Sequence, residues 1–589
     1  MSHDFQNSQT LRSSAGDEGK NNIAEIVGFL SLGGEAAYVG SSSGFSLATS
    51  LGNLVQATVW NKAIASAVGQ TQSKEMSIAE IKRQSAGPPD RDFGDRVLDA
   101  YLTRVHLRYP FLDRAEIMQR HANRFVQDHT NPQDQYGTFK IYMIYAIGST
   151  MLKMTERYEA TPPENYFMTA LQYISAARES HSVHNIEAMT LLVLYSLRSP
   201  SNSGIWYMIG LAMRTCVDLG LHREAYYRNV LPYEGQLRRR LFWTVYFLER
   251  VIAVSLGRPY SIADRDIDAT LPLEIDDTVR DDGLIARTLA VAPSPTFQAD
   301  RPSSNITLGV QCIQLKRLES HIQESIYRVD KPLASLVSEI NPILMMLEEW
   351  YKALPASAPY ETDYLGMHYY KAVRLLLQPF LMILPPTDSR IALCLQASGQ
   401  ICQIFKRLHQ RDSYGHSFVA LHSVFIAGVT MCYCLFLVPS IWTFAVSNDL
   451  RACSSALFVM AERTPTVKKY RDALETVISA TMDFLADPTK IHPQPPVNIS
   501  TLPQQSSHQN SASDCQSEYT TPTQTCDDKT TAAYDHIPDI KTSAARAEGR
   551  QGEMGQMDAD WMLSLCEGDG FSLNMLNEMM RFEPSLGVL

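Results

Sequence analysis

Cysteine is missing from the first 215 residues of this 589-residue chain, and its ten cysteines lie between Cys216 and Cys566. A zinc site built from cysteine needs several thiolates held close together. Residues 1–215 therefore cannot form such a site, and the later cysteines contain no Cys-x-x-Cys pair. Scattered thiols without a paired framework favour a reducing compartment.

An excess of basic charge is also missing. The chain has 52 Lys and Arg against 63 Asp and Glu, which gives a formal net charge of −11. A protein that holds nucleic acid through its overall electric field needs the opposite balance. Any contact with DNA would therefore depend on a local basic module.

The N-terminus contains the charged residues Arg12, Asp17 and Lys20 and has no apolar run of the kind that a secretory signal needs. We therefore expect an intracellular protein.

One long apolar segment, 417–446, contains no Asp, Glu, Lys or Arg and is long enough to span a bilayer. The alternative is a helix that is buried on all sides in a large helical domain and ends near Pro439. The polar residues His422 and Thr430, and flanks without a dense Lys and Arg asymmetry, favour the buried helix. We predict no membrane partner.

Helical spacing of apolar residues begins at Phe93 and continues for about 390 residues, while convincing strand alternation is lacking. The sequence predicts an all-α fold class, with a large multi-helix domain over 93–486, as one body or two lobes. Residues 1–92 are predicted to be a polar N-terminal segment and linker, and 276–304 an irregular crossing between lobes. Beyond the first helix, helices are predicted at 138–154, 165–179, 185–197, 205–219, 236–256, 308–328, 333–353, 365–382, 388–410, 417–437, 449–463 and 466–486.

The C-terminal part of the chain changes composition twice. Residues 487–550 are rich in Pro, Ser, Thr and Gln and are predicted to be a disordered linker. Residues 551–589 have seven acidic residues against Arg581 alone, with apolar side chains between them. This pattern predicts an acidic-hydrophobic activation segment that folds on a transcriptional coactivator, and the alternative is a helix docked on the helical domain. Its apolar residues are Trp561, Met562, Leu563, Leu565, Phe571 and Leu576.

Three patterns that could carry chemistry have a simpler interpretation. Residues 40–44, Gly-Ser-Ser-Ser-Gly, fit the nucleophile elbow of hydrolases, but no strand-helix alternation follows, so a turn is favoured. His222 could be a base, and a capping or hydrogen-bonding role is favoured. Arg238, Arg239 and Arg240 form a small basic patch, for which ion pairing between helices is favoured. No catalytic, metal-binding or cofactor-binding residue is assigned, and we expect no enzyme.

Four motifs follow one another in sequence order, an opening motif and three that together form a regulatory motif. The opening motif consists of Tyr101, Val105, His106, Tyr109, Pro110, Phe111 and Leu112. The regulatory motif consists of Trp206, Gly210, Arg214, Gly220, Leu221, His222, Arg238, Arg239, Arg240, Trp243, Glu249, Arg250, Gly257, Arg258 and Pro259. In this order the motifs resemble the regulatory middle domain of fungal zinc-cluster transcription factors. The resemblance covers about residues 24–486, and includes weaker agreement at 38–46 and 368–379.

Two departures from the family pattern matter. The family often has Asp-Arg where this chain has Glu249-Arg250, a mild change that keeps the carboxylate. The larger departure is the six-cysteine zinc cluster, for which residues 1–215 offer no ligand. Zinc is therefore expected only if an N-terminal cluster is missing from this chain.

The resemblance implies a nuclear transcription regulator, controlled through its helical domain and acting on a secondary-metabolite or catabolic gene cluster. Its implied partners are a coactivator, a homodimer or heterodimer with related regulators, and promoter DNA, reached indirectly or through a missing N-terminal domain. Three explanations for the departure stay open: a truncated gene model or isoform, a regulator without its own DNA reader, and a diverged domain with another role. The alternative function is an interaction module, deficient in DNA binding, that sequesters or heterodimerises with related regulators.

Overall fold

The computed structural model describes residues 40–44, 47–48, 50–51, 84–125, 132–177, 182–199, 204–291, 304–354, 359–411, 415, 417–464 and 467–487. These residues belong to one compact unit. Helices form all of its regular structure, and no strand occurs among the described residues. The predicted all-α fold class is confirmed.

Fifteen α-helices lie in the described ranges. In chain order they are α1 Arg91–Tyr101, α2 Arg114–Ala122, α3 Pro132–Thr155, α4 Pro163–Gln172, α5 Val183–Ser196, α6 Ile205–Asp218, α7 Pro232–Leu256, α8 Asp282–Val291, α9 Thr307–Ile326, α10 Ile340–Lys352, α11 Pro359–Leu377, α12 Ser389–Gln410, α13 Phe418–Leu437, α14 Phe444–Arg463 and α15 Lys468–Ala486.

Short helical turns join several of these elements. Residues Leu102–His106 form a π-helical turn directly after α1. The 3-10 turns are Ser41–Ser43, Ile174–Ala177, Glu224–Asn229, Asp264–Asp266, Leu333–Glu339, Gln378–Met382 and Pro439–Ile441.

Polar caps and prolines set where the helices begin. The Asp90 carboxylate accepts a hydrogen bond from the Phe93 amide at the start of α1, and the Ser417 hydroxyl accepts one from the Ala420 amide at the start of α13. Helices α3, α4, α7 and α11 each begin with a proline, which needs no amide partner in the first turn. Proline is therefore a start signal here, and α3, α7 and α11 begin four to six residues earlier than predicted.

The apolar segment at 417–446 forms α13, the one helix among the described residues that is long and apolar enough to cross a membrane. Its most apolar 18-residue window is entirely buried inside the structure. It packs against α7, α12, α14 and α15. The helix ends at Leu437, two residues before Pro439, as the buried-helix prediction expects.

Two predicted features differ from the structure. Residues 276–304 are not wholly irregular, since they contain α8, and the described residues do not separate into two lobes. The predicted boundary at 93 also leaves out buried residues of the N-terminal segment, among them Gly40, Ser42, Ser43, Leu47, Ala48 and Leu51. The backbone of Gly40 and Ser43 forms hydrogen bonds to α7 and α13, so this segment packs against the helical body. Predicted segments 487–550 and 551–589 lie outside the described residues, apart from Asp487.

Candidate functional site

The turn between α6 and α7 is fixed by a left-handed glycine. Gly220 has a φ of 78°, which L side chains rarely adopt. The Leu221 amide donates to the Cys216 carbonyl over 2.9 Å, and the Gly220 amide to the Val217 carbonyl over 3.0 Å. These two hydrogen bonds form a Schellman motif, which buries Leu221 completely. The motif therefore contains Gly220 and Leu221 because these two residues form the C-terminal cap of α6.

The backbone after this turn pairs with the loop that follows α7. The His222 carbonyl accepts hydrogen bonds from the amides of Asp268 and Ala269, at 3.2 and 3.1 Å. The Asp268 carboxylate accepts two from the Arg223 guanidinium, at 3.0 and 3.1 Å, and one from the Glu224 amide, at 2.7 Å. Burial and the neighbouring Arg223 charge lower the pKa of the His222 ring. His222 therefore joins the two segments through its backbone.

Arg239 joins α7 to the same place. It is buried, and its guanidinium donates to both Glu224 carboxylate oxygens, at 2.9 and 2.7 Å, while it lies 3.7 Å from the centre of the Tyr227 ring. Glu224 also accepts from the Thr270 amide at 2.9 Å. The Trp243 indole donates to the Thr270 carbonyl over 2.9 Å. One carboxylate thus connects the turn, α7 and the loop.

The two neighbouring arginines of α7 have different surroundings. Arg238 is half-buried and donates to Glu234 and to the Tyr226 hydroxyl. Arg240 is buried and forms no ion pair with any described residue, and burial lowers the pKa of its guanidinium. Of the three arginines, only Arg239 forms the favoured kind of ion pair, to Glu224 outside α7, because Arg238 pairs with Glu234 one turn away on the same helix. None of the three belongs to an exposed basic patch.

Arg250 is the most enclosed charge of the motif, with an exposed fraction of 0%. Its guanidinium donates to Glu249 at 2.6 Å, to the Ile262 carbonyl at 2.7 Å and to Asp264 at 2.9 Å. The second Glu249 oxygen accepts from the Ser261 amide at 2.7 Å. The Glu-Arg pair therefore holds the loop after α7 against the helix.

Two aromatic rings complete the surroundings of Arg250. The guanidinium carbon lies 4.1 Å from the centre of the Tyr246 ring and 4.2 Å from that of Tyr260. Burial disfavours the charged guanidinium, but Tyr246, Glu249 and Asp264 outweigh it and raise the pKa of Arg250. Arg250 therefore stays charged inside the fold.

Gly257 ends α7 in the left-handed region, with a φ of 67°, and lies directly against Gly40. The Gly40 amide donates to the Leu256 carbonyl over 3.0 Å. A Cβ atom on Gly257 would lie 2.3 Å from the Gly40 oxygen, and one on Gly40 would lie 1.9 Å from the Gly257 oxygen. The neighbouring Ser43 carbonyl accepts a hydrogen bond from the His422 ring at 3.0 Å. The segment that begins at Gly40 is thus fixed against both α7 and α13.

The remaining residues of the regulatory motif lie around this cluster. Arg258 is half-buried and stacks 4.6 Å from the centre of the Trp206 ring, and burial lowers the pKa of its guanidinium. A Cβ on the buried Gly210 would meet the Ser261 hydroxyl at 3.8 Å. Arg214 and Pro259 are exposed. The structure therefore brings together most of the motif, but these last two reach solvent.

The opening motif forms a separate polar contact in the core. His106 is 1% exposed, and its Nε2 lies 2.8 Å from the Asp277 carboxylate, which also accepts from the Asn305 amide. Burial lowers the pKa of His106 despite the opposing effect of Asp277. The neutral His106 imidazole therefore donates a hydrogen bond to the Asp277 carboxylate. This contact joins the chain directly after α1 to a residue 171 positions later.

Sequence reasoning missed the acidic partners of the motif, which are Glu224, Asp264, Asp268 and Asp277. Glu224 lies within the span of the regulatory motif, and Asp264 and Asp268 follow shortly after its last residue, Pro259. An available signal was therefore an acidic residue near each unexplained arginine. Asp277 had no such signal, because His106 is far from it in the chain. The predicted activation residues Trp561, Met562, Leu563, Leu565, Phe571 and Leu576 lie outside the described residues.

The site offers no evident place for a metal ion. In the part of the chain that the structure describes, no group of three or more His, Cys, Asp or Glu side chains is arranged to hold one. The seven cysteines in that part are free and buried. The motif cluster is thus a network of ion pairs and backbone contacts that locks α6, α7 and the following loop together.

The regulatory motif lies in a region of the chain that matches a known protein domain. Residues 98–352 match the fungal specific transcription factor domain. An uncharacterized transcriptional regulatory protein of Saccharomyces cerevisiae is 30% identical over 441 residues, which are 66% of this chain and 32% of that protein.

The names of two further relatives mention a metabolic pathway. The pyrimidine pathway regulatory protein 1 of Saccharomyces cerevisiae is 24% identical, over 56% of this chain and 36% of its own length. The positive regulator of purine utilization of Emericella nidulans is 21% identical, over 81% of this chain and 56% of its own length. The chain therefore spans from about a third to just over half of these relatives. It contains a fungal specific transcription factor domain, and its relatives are fungal transcriptional regulators.

Proposed function

We propose that this chain regulates transcription in the fungal nucleus and that residues 93–486 are its regulatory domain. The match of residues 98–352 to the fungal specific transcription factor domain carries this proposal. The motif geometry supports it, because Arg239 and Arg250 are committed to carboxylates inside the fold. Arginines paired in this way are not available to bind DNA phosphates. Under this proposal the domain controls the protein, and promoter DNA is reached through a related regulator or a further N-terminal domain.

The proposed targets are genes of a catabolic or secondary-metabolite cluster. The names of two relatives, which concern the pyrimidine pathway and purine utilization, support the metabolic side of this proposal. Transcript profiles with and without the chain test it, because the affected genes should fall in one metabolic cluster. A dispersed set of affected genes would contradict it.

The proposed output element is the segment 551–589, joined to the domain by the linker 487–550. Its acidic residues keep Trp561 and Phe571 soluble, while its apolar residues are too few to form a core alone. A groove on a coactivator would supply the missing partner surface for a short amphipathic helix. The segment would therefore fold when it binds.

A reporter assay tests this element. Residues 551–589 fused to a heterologous DNA-binding domain should activate a reporter gene, and Trp561→Ala with Phe571→Ala should abolish most of the signal. The matched control is Ser564→Ala with Asn574→Ala, which alters the same stretch but keeps its apolar residues and should retain activity. A silent fusion, or equal activity of the two double variants, would contradict the proposal.

The second candidate is an interaction module that sequesters or heterodimerises with related regulators. Residues 1–215 contain no cysteine and cannot hold a cysteine-ligated zinc cluster, and this second candidate does not require one. Overexpression of the full chain separates the two candidates. Target transcripts should rise if the chain activates and fall if it sequesters its relatives.

A further inference from the structure

Two adjoining cavities lie inside the helical body, and both are lined by Val251 of α7 and Lys371 of α11. One offers about 30 Å³ and the other about 40 Å³ for water-sized molecules. A single water needs roughly 10–15 Å³ by this measure. Together the cavities have room for a few waters or for the head group of a small ligand.

The charged residues that line these cavities are almost all basic. Lys316, Lys371 and Arg374 line the first cavity, and Arg108 and Arg198 join Lys371 in the second. Glu319 is the one carboxylate among the lining residues. Both of its oxygens lie 2.6 Å from the Lys316 ammonium, so it is already paired. Among the lining residues, basic side chains therefore outnumber carboxylates.

Several of these polar groups have unused hydrogen-bonding capacity. The half-buried Lys371 has no hydrogen bond or ion pair to any described residue, and the Nε of Arg374 is buried without a hydrogen-bond partner among them. His368 lines the second cavity with an exposed fraction of 5%, and neither of its ring nitrogens has such a partner. A positive charge that is partly removed from water without a counter-charge destabilises the fold. An anion would offset that cost here.

The electrostatics of Lys371 agree with this geometry. Burial and the neighbouring Lys316 lower the pKa of the Lys371 ammonium to about 7, while Glu319 opposes them. Burial likewise lowers the pKa of His368 well below its usual value, so the ring is neutral and can donate one N–H. A bound anion would favour the charged form of Lys371.

We propose that these cavities bind the carboxylate or phosphate group of a small anionic metabolite, contacted by Lys371, Arg374 and His368. The walls include α7, which carries the regulatory motif, and Ser42 of the N-terminal segment. A ligand here would touch both elements that the Gly40–Gly257 contact joins. Its role as the effector of the regulator rests on the proposed function, whereas binding itself does not.

Thermal unfolding of the purified full chain tests the site. Sodium phosphate and sodium succinate are titrated against sodium chloride of equal ionic strength, because a ligand that binds only the folded chain raises its unfolding temperature. We expect a saturable rise with at least one of the two anions, and the arm that responds identifies phosphate or carboxylate as the recognised group. No rise beyond that of chloride would overturn the proposal.

Lys371→Met locates the effect. This variant should lose the anion-dependent rise, with an apparent Kd at least about tenfold higher. Without anion it should unfold at a higher temperature than the wild type, because a half-buried ammonium without a counter-charge is gone. Lys352→Met is the matched control, since Lys352 is exposed and paired with Glu348 at the surface. If the Lys371→Met variant does not fold, the Lys371→Gln variant takes its place in the same measurement.

An unchanged response in the Lys371 variant would place any anion binding elsewhere and overturn the assignment. These outcomes do not involve a promoter or a reporter gene. Failure of the anion site and failure of the transcriptional proposal can therefore be told apart.

Discussion

Arg250 shows at the level of a single residue what the regulatory motif does. A guanidinium has five N–H donors in a fixed fork, which suits several acceptors at once. Here the acceptors are Glu249, Asp264 and the Ile262 carbonyl, and they come from both the helix and the loop that follows it. The Glu249 departure from the usual Asp-Arg pair keeps this contact, since Glu249 reaches the Arg250 guanidinium at 2.6 Å.

Arg250→Met should destabilise the chain by about 3–5 kcal/mol, because it leaves the Glu249 carboxylate buried without its cationic partner. The change is measured as a shift in the urea midpoint of unfolding. Arg238→Met is the control on the same helix, where the Glu234 partner is exposed, and should cost less than about 1 kcal/mol. Equal effects of the two variants would show that Arg250 does not clamp the loop.

The residues of the motif could be identified from the sequence, but their partners could not. Spacing alone does not show that Arg239 meets Glu224 or that Arg250 meets Asp264, because each contact depends on how the chain turns after α6 and α7. His106 and Asp277 are an extreme case, being 171 residues apart. Long-range polar pairs of this kind need the three-dimensional structure.

The helices themselves were mostly predictable, because their apolar periodicity is strong. Errors occur where local chemistry overrides it: proline begins a helix at Pro132, Pro232 and Pro359, and the stretch 333–339 is a 3-10 turn before α10. The short helices α2 and α8, of nine and ten residues, were missed. The packing of the N-terminal segment was missed because Gly40 and Ser43 hold it through their backbone, which leaves no apolar pattern in the sequence.

The contact between this segment and the end of α7 can be tested with four glycines. Gly257→Ala combines a left-handed φ with a Cβ placed 2.3 Å from the Gly40 oxygen, so we expect a loss of about 2–5 kcal/mol. Gly220→Ala has a similar φ, but its nearest neighbour is the Tyr226 ring at 3.7 Å, so only about 1–2 kcal/mol should be lost. Urea unfolding of both variants measures the difference.

Gly40→Ala and Gly87→Ala complete the comparison. Gly40 has an ordinary φ of −92°, so its variant isolates the clash with the Gly257 oxygen. Gly87 has no atom within 4 Å of an added Cβ and should tolerate alanine. If Gly40→Ala were as stable as Gly87→Ala, the segment would not be docked against α7.

At the scale of the whole molecule, the described helices share one core without a division between lobes. Helix α13 lies in the interior of this core. The helix can be long and apolar because protein surrounds it on all sides. The sequence left one body or two lobes open, because periodicity shows which face of a helix is buried but not which helices bury it. The structure favours one cooperative unit over α1 to α15.

Cysteine labelling tests that cooperativity. The seven described cysteines are buried from α6 to α14, and burial raises the pKa of the Cys312 and Cys432 thiols to about 12. A thiol reacts as its thiolate, so these side chains should be inert in the folded protein. In a chain carrying Cys515→Ser, Cys526→Ser and Cys566→Ser, brief maleimide pulses at increasing urea, read by mass spectrometry, should label all seven over one transition. Labelling of Cys216 at lower urea than Cys402 would instead show that α6 and α12 belong to lobes that unfold separately.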